Sequence, residues 1–204
     1  MVITTIIFDL GGVVLCNDWH DFNEKKFEEF YYTLGISYAD FEKRWYRLWP
    51  LFELGKLSEE VFWKRFLGSF YSGKSDIAKA KKIWRKHQKA DVEMIKLAKK
   101  LKKHYQLAAL ANSSKEWGLF RKKKFKLTRY FEKVLISGNY GLGKPDPKIF
   151  ELIIKLLKEL PKNCLFIDDS TNNVLSAKKC GFNGILFTNQ KELEIELKRL
   201  GIKF

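Results

Sequence analysis

Hydrophobic and polar positions change period along the chain, and the changes mark its elements. Ile3-Thr4-Thr5-Ile6-Ile7-Phe8 is a β-branched run closed by Asp9-Leu10-Gly11-Gly12, the pattern of a buried strand running into a turn. From about Asp18 to Gln88 the pattern turns helical and strongly aromatic, with Gly35, Pro50, Gly55, Gly68 and Gly73 as punctuation and no strand standing out. Asp91 then caps a predicted helix reaching Tyr105, with Met94, Leu97, Ala98 and Leu101 on one face. Short apolar runs at Leu107–Ala111, Val134–Ile136, Cys164–Ile167 and Gly184–Phe187 predict strands. Helical patterns alternate with them at Glu116–Leu127, Pro147–Leu160, Asn172–Cys180 and Gln190–Leu200. Strand–helix alternation with short links predicts an α/β fold: a Rossmann-like parallel sheet with helices on both faces. The aromatic all-helical stretch reads as an insertion after the first strand. The expected domains are an α/β core of residues 1–17 and 89–204 and a helical cap of residues 18–88.

Composition changes this picture little. The chain of 204 residues is 46% hydrophobic and 15% aromatic, which excludes a disordered or collagen-like chain and leaves enough material for a core with a sizeable insertion. No apolar run approaches the ~18–20 residues that cross a bilayer, and the N-terminus lacks the basic start of a signal peptide. Cys16, Cys164 and Cys180 are scattered and form no CxxC pair, so neither a disulfide framework nor a zinc site is expected. The expected setting is cytoplasmic, with no membrane as partner.

The charge of +15 invites a nucleic-acid reading, so its location matters. Residues 78–133 hold 19 basic and 4 acidic side chains, and the rest of the chain is balanced. Only seven basic residues are arginine, the type suited to bidentate recognition of bases and phosphates. Lys96, Lys99, Lys100, Lys102 and Lys103 fall largely off the apolar stripe of their helix, as on a solvated face. Nucleic acid is therefore not expected as a partner. Arg121-Lys122-Lys123-Lys124 reads as decoration of a core helix, and His20, His87 and His104 as surface or packing residues.

Open α/β sheets bind ligands beyond the carboxyl ends of their strands. Four such ends or following loops carry suitable polar residues: Asp9, Asn112-Ser113-Ser114, Lys144, and Asp168-Asp169. An acid at the end of a strand is commonly a turn former or a helix cap, so no single one of these defines a site. Their order does. With Phe8-Asp9-Leu10-Gly11-Gly12, Phe52-Glu53-Leu54-Gly55-Lys56-Leu57-Ser58, Gly143-Lys144-Pro145-Asp146-Pro147 and Phe166-Ile167-Asp168-Asp169-Ser170-Thr171-Asn172-Asn173, the chain resembles the haloacid dehalogenase-like (HAD) hydrolase superfamily with an inserted helical (C1-type) cap. The resemblance runs from Val2 to about Phe187.

That resemblance implies a Mg²⁺-dependent phosphatase acting on a small phosphorylated metabolite. Asp9 would be the nucleophile, forming an aspartyl-phosphate that water hydrolyses. Asp9, Asp169 and the carbonyl of Gly11 would hold Mg²⁺, a hard cation served by oxygen ligands. Lys144 would clamp both Asp9 and the phosphate, Asn112 and Ser113 would bind phosphate, and Asp168 and Asn173 would support. Phosphoryl transfer calls for charge neutralisation at these places above all.

Two departures qualify the expectation. Gly11 stands where the family usually has an acid/base aspartate, whose function is worth about 10²–10⁴-fold, roughly 3–5 kcal/mol of barrier. Its loss should slow alkyl phosphates more than aryl or acyl ones. Ala111 replaces the usual phosphate-binding hydroxyl, a loss of only ~1 kcal/mol. Together they keep a second reading open, a weakened or non-catalytic phosphate- or metal-binding relative. A third is a 2-haloacid dehalogenase, which needs no acid after Asp9; the Asp168-Asp169 pair speaks for a metal and against it.

Overall fold

The structure is a computed structural model and describes residues 2–16, 24–70 and 73–204. Trp19 and His20, and the expected boundary at 17/18, lie outside the described residues. The chain begins with β1 (Thr5–Phe8) and continues through four helices, α1 (Glu24–Leu34), α2 (Tyr38–Phe52), α3 (Glu59–Leu67) and α4 (Lys74–Lys86). It then alternates: α5 (Val92–Leu101), β2 (Gln106–Ala111), α6 (Lys115–Lys124), β3 (Lys133–Ile136), α7 (Pro147–Leu157), β4 (Cys164–Asp168), α8 (Thr171–Lys179), β5 (Asn183–Leu186) and α9 (Gln190–Arg199).

All five strands are parallel, in the order β3-β2-β1-β4-β5. This is the expected Rossmann-like α/β fold, and its alternation is visible residue by residue. Ile6, Phe8, Leu107, Ala109, Leu165 and Ile167 pack on one face with Met94 and Leu97 of α5 and Leu193 and Leu197 of α9. Ile7, Ala108, Leu110, Cys164 and Phe166 pack on the other with Ile149, Phe150 and Ile153 of α7 and Ala177 of α8. Both faces being covered explains why the strands read as continuous apolar runs.

Local signals set the helix ends. Ser37, Ser58, Asp91, Ser114, Asp146 and Asn189 each cap a helix by accepting a backbone N–H with the side chain, and Pro147 takes the first turn of α7 where no N–H is needed. Three helices stop clearly earlier than their patterns suggest, and the first of them, predicted to reach Tyr105, ends at Leu101. The predicted helix to Leu127 ends at Lys124 because Lys126 turns left-handed, and the one to Leu160 ends at Leu157 with Lys158 left-handed. Pro50, read as punctuation, lies inside α2 near its end, where few backbone bonds remain to be lost.

The helices between β1 and β2 have their own aromatic core: Phe30, Phe41, Phe52, Phe62, Trp63, Phe66 and Trp84, all buried. Trp117 of α6 belongs to the same cluster, stacked on Trp84 at 3.8 Å between ring centroids. Its indole N–H donates to buried Glu59 at 3.0 Å, and Lys81 and Arg85 of α4 pair with that carboxylate. The cap is thus fastened to the core by a shared aromatic and ionic joint rather than merely tethered. The expected lysines Lys96, Lys99, Lys100, Lys102 and Lys103 of α5 and its end are exposed. Among the described residues no helix is long and apolar enough to cross a membrane.

Candidate active site

Parallel strands on both sides of β1 place their carboxyl ends along one edge. The strand order reverses direction at β1, so the crevice between β1 and β4 is the switch point where such sheets hold ligands. Asp9 follows β1 directly, its backbone N–H still bound to the Ile167 carbonyl at 2.8 Å. Asp168 ends β4, and Asn112 follows β2. A cavity of about 510 Å³ opens here; Asp9, Gly11, Asn112, Lys144, Asp169, Ser170 and Asn173 form its core side.

Lys144 is the centre of the constellation. Its buried ammonium lies 2.8 Å from Asp9 Oδ1 and 2.6 Å from Asp168 Oδ2. Burial opposes its charge, but the two carboxylates overcome that and hold the ammonium above its ordinary pKa. Asp168 is wholly buried and saturated: its other oxygen accepts the Ser170 N–H at 2.8 Å and the Asn173 amide at 3.0 Å. Asp168 thus links Lys144 to Ser170 and Asn173.

Burial pushes the Asp9 carboxyl up, Lys144 counteracts, and Asp168 and Asp169 add to the rise. Among the described residues three carboxylates face one ammonium here, a surplus of negative charge that a cation relieves. Asp9, Asp168 and Asp169 offer oxygens all within 4.8 Å of one another, and Asp168 is already spent on Lys144, Ser170 and Asn173. Asp9, Asp169 and Gly11 stand together on the wall of the cavity. An all-oxygen donor set fits Mg²⁺ and suits neither zinc nor copper.

Asn112 lines the cavity, but its amide is engaged. Oδ1 accepts the Lys144 N–H and Nδ2 donates to the Lys144 carbonyl, each at 2.8 Å. It fixes the loop that carries Lys144, which includes a cis Lys144–Pro145 bond. Ser113, expected to bind phosphate, is a correction: it is fully buried and is not among the residues lining the cavity. Its N–H and carbonyl are held by the Ser137 hydroxyl and the Gly138 N–H, which keep the segment behind the wall. Ala111 packs in the core.

The opposite wall comes from the cap and α6. Tyr38, Phe41, Trp45, Tyr46 and Trp49 form one stripe of α2, with Glu42 beside them and Glu53 at the helix end. Trp45 and Trp49 stack at 5.0 Å. Arg121 of α6 also lines the cavity, its Nε donating to Gln88 at 2.8 Å. Sequence reasoning gave no role to Glu53, Glu42 or Arg121. Arg121 could have been found from phase: it lies one turn after Trp117, so the inward face of α6 carries it while Lys123 and Lys124 face out. Arg44 donates to the carbonyls of Phe66 and Leu67.

The chain matches the haloacid dehalogenase-like hydrolase family over residues 3–181 and belongs to that family. Among its relatives is a D-ribitol-5-phosphate phosphatase from Bacteroides thetaiotaomicron, 29% identical over 89% of this chain and 90% of that one. A HAD family enzyme from the same organism, solved in complex with magnesium and inorganic phosphate, superposes with a TM-score of 0.78 at 22% identity, covering 94% of this chain and 98% of that one. The L-2-haloacid dehalogenase of Xanthobacter autotrophicus shares the fold with a TM-score of 0.68 at 18% identity over 97% and 83% of the two chains. Fold alone therefore does not separate the phosphatase from the dehalogenase.

Proposed function

We propose that the protein is a Mg²⁺-dependent phosphatase of small phosphorylated metabolites that works through a phosphoryl group carried on Asp9. The single observation that supports this most is the four-residue constellation of Asp9, Lys144, Asp168 and Asp169. Its excess negative charge fits a bound cation, and its one buried ammonium is set beside the nucleophile. The relative that hydrolyses ribitol phosphate points the same way.

Asp9 and Asp169, with the Gly11 carbonyl, would hold Mg²⁺, which supplies charge neutralisation to the phosphate and to the carboxylates around it. Lys144 orients Asp9 through Oδ1 and offers its remaining donor capacity to a phosphate oxygen. The Leu10 N–H, 2.6 Å from Asp9 Oδ1, fixes the carboxyl further. Asn112 contributes by holding Lys144, and the cap wall excludes water while contacting the organic part of the substrate. The dehalogenase reading is supported less, because a third carboxylate, Asp169, suits a bound cation that such chemistry does not need.

The test is hydrolysis of p-nitrophenyl phosphate by the wild type with Mg²⁺, with EDTA, and by Asp9→Asn with Mg²⁺. Turnover in the first arm alone is expected. Equal rates in all three would overturn the reading. No turnover on a broad panel of phosphoesters, with thermal stabilisation by phosphate and Mg²⁺, would instead favour the non-catalytic relative.

A further inference from the structure

A phosphatase acting on alkyl esters must protonate a poor leaving oxygen, and the usual place for the acid holds Gly11. The gap there is real: no heavy atom lies within 4 Å of where a Cβ on Gly11 would sit. Across the cavity stands a carboxyl that the scheme above does not use. Glu53 lines the same space as Asp9, Gly11 and Lys144, on the cap side.

Glu53 is not a loose surface acid. Its backbone carbonyl accepts the Ser137 hydroxyl at 2.6 Å, a bond from the core sheet edge directly to the cap. Two residues on, Gly55 has φ +70°, and a Cβ there would come within 2.3 Å of the Gly138 carbonyl oxygen, so only glycine allows the approach. Leu54 lies against Gly143, next to Lys144, where a Cβ would be 3.1 Å from the leucine methyl. The segment 53–55 is therefore seated on the core at three points. Trp49, Lys144 and Asn112 are near enough to the Glu53 carboxyl for each to favour its charged form.

We propose that Glu53 is the acid–base catalyst of this site, supplied by the cap in place of the residue missing at Gly11. This rests on the phosphatase reading and deepens it. In the first step Asp9 forms a bond to phosphorus while the bond from phosphorus to the ester oxygen breaks. The leaving oxygen keeps that electron pair and takes the proton of the Glu53 carboxyl, departing as the alcohol. In the second step the Glu53 carboxylate takes a proton from the water that attacks phosphorus. The bond to Asp9 breaks, inorganic phosphate leaves, and both side chains return to their starting forms.

The electrostatics agree. Burial raises Glu53 from 4.5 to about 7, outweighing the opposing influence of Trp49, Lys144 and Asn112. A carboxyl poised near neutrality can both give and take a proton at working pH. Among the described residues the other charged groups lining the cavity are Asp9, Glu42, Arg121, Lys144 and Asp169.

The experiment compares wild type and Glu53→Gln on p-nitrophenyl phosphate and on an alkyl phosphate such as ribitol 5-phosphate. Loss of the acid is expected to lower kcat/KM, which reports transfer of the phosphoryl group to Asp9 and not the later hydrolysis common to both esters, by about 10²-fold or more on the alkyl ester and by far less on the aryl ester, because nitrophenolate departs without a proton. Equal fractional losses on both, or none on either, would overturn the role of Glu53 while leaving the phosphatase reading intact. No turnover of either ester by the wild type would overturn both. Should Glu53→Gln fail to fold, the wild type decides alone: a shallow dependence of kcat/KM on leaving-group basicity supports internal protonation, and a steep one contradicts it.

Discussion

At the scale of single residues, the site is an arrangement of charges in which each group sets its neighbour. Lys144 is charged because Asp9 and Asp168 are beside it, and Asp168 is fixed because Ser170 and Asn173 complete its hydrogen bonds. Lys144→Met should accordingly abolish turnover and also destabilise the fold, since it leaves two buried carboxylates without a cation; activity assay and thermal melting check the two parts. Glu53 gives a pH prediction of definite sign. Its carboxyl, raised on folding from 4.5 to about 7, contributes stability that is fully present below 4.5 and is lost as pH rises through about 7. Glu53→Gln should therefore flatten part of the fall in Tm over that window. The same titration means that alkyl-phosphate kcat should decline above pH 7 in the wild type and lose that limb in Glu53→Gln. Asp9, Lys144 and Asp168-Asp169 were legible in the sequence because each sits beside its own strand end or motif. Ser113 was misplaced because sequence adjacency to Asn112 does not reveal which side of a wall a residue occupies. Glu53 was quoted in a motif without a role, since its value comes from a fold that carries it to Asn112 and Lys144.

Elements show why the cap wall is a reliable partner for the core. A cap hinged on two linkers would place Glu53 variably, but here the joint is built from Trp117, Trp84 and Glu59, with Ser137 reaching the end of α2. Trp117→Ala should cost about 3–5 kcal/mol in denaturant unfolding, the range for a large buried aromatic, and also remove the indole donor from the Glu59 carboxylate, which keeps Lys81 and Arg85. A cost below ~1 kcal/mol would contradict the joint. Gly55→Ala should lower alkyl-phosphate turnover more than aryl turnover, because the Gly138 carbonyl forces the segment carrying Glu53 outward; the same pair of substrates measures it. Strand and helix identities were readable from periodicity throughout the core. The ends of α6 and α7 were not, because left-handed Lys126 and Lys158 carry no compositional sign such as glycine. The cap's helices were readable only as a helical stretch, its aromatic density hiding which rings pack and which line the cavity.

For the molecule as a whole, the charge of +15 is a property of the outer surface more than of the site. The lysines of α5 and its end are solvated, while the cavity mixes Asp9, Glu42, Glu53 and Asp169 with Arg121 and Lys144. A basic exterior raises the local concentration of dianionic substrate, so kcat/KM should fall with added salt while kcat holds steady. Equal falls in both would place the effect in the site instead. The parallel sheet gathers acid and ammonium at one edge, and the fastened cap brings a proton donor to the other side of the space between them. The central claim, that phosphate passes through Asp9, is tested most directly by hydrolysing a phosphate monoester made chiral at phosphorus with oxygen isotopes and sulfur. Two in-line displacements predict retained configuration in the thiophosphate product, and inversion would show water attacking the substrate directly and contradict a covalent step on Asp9.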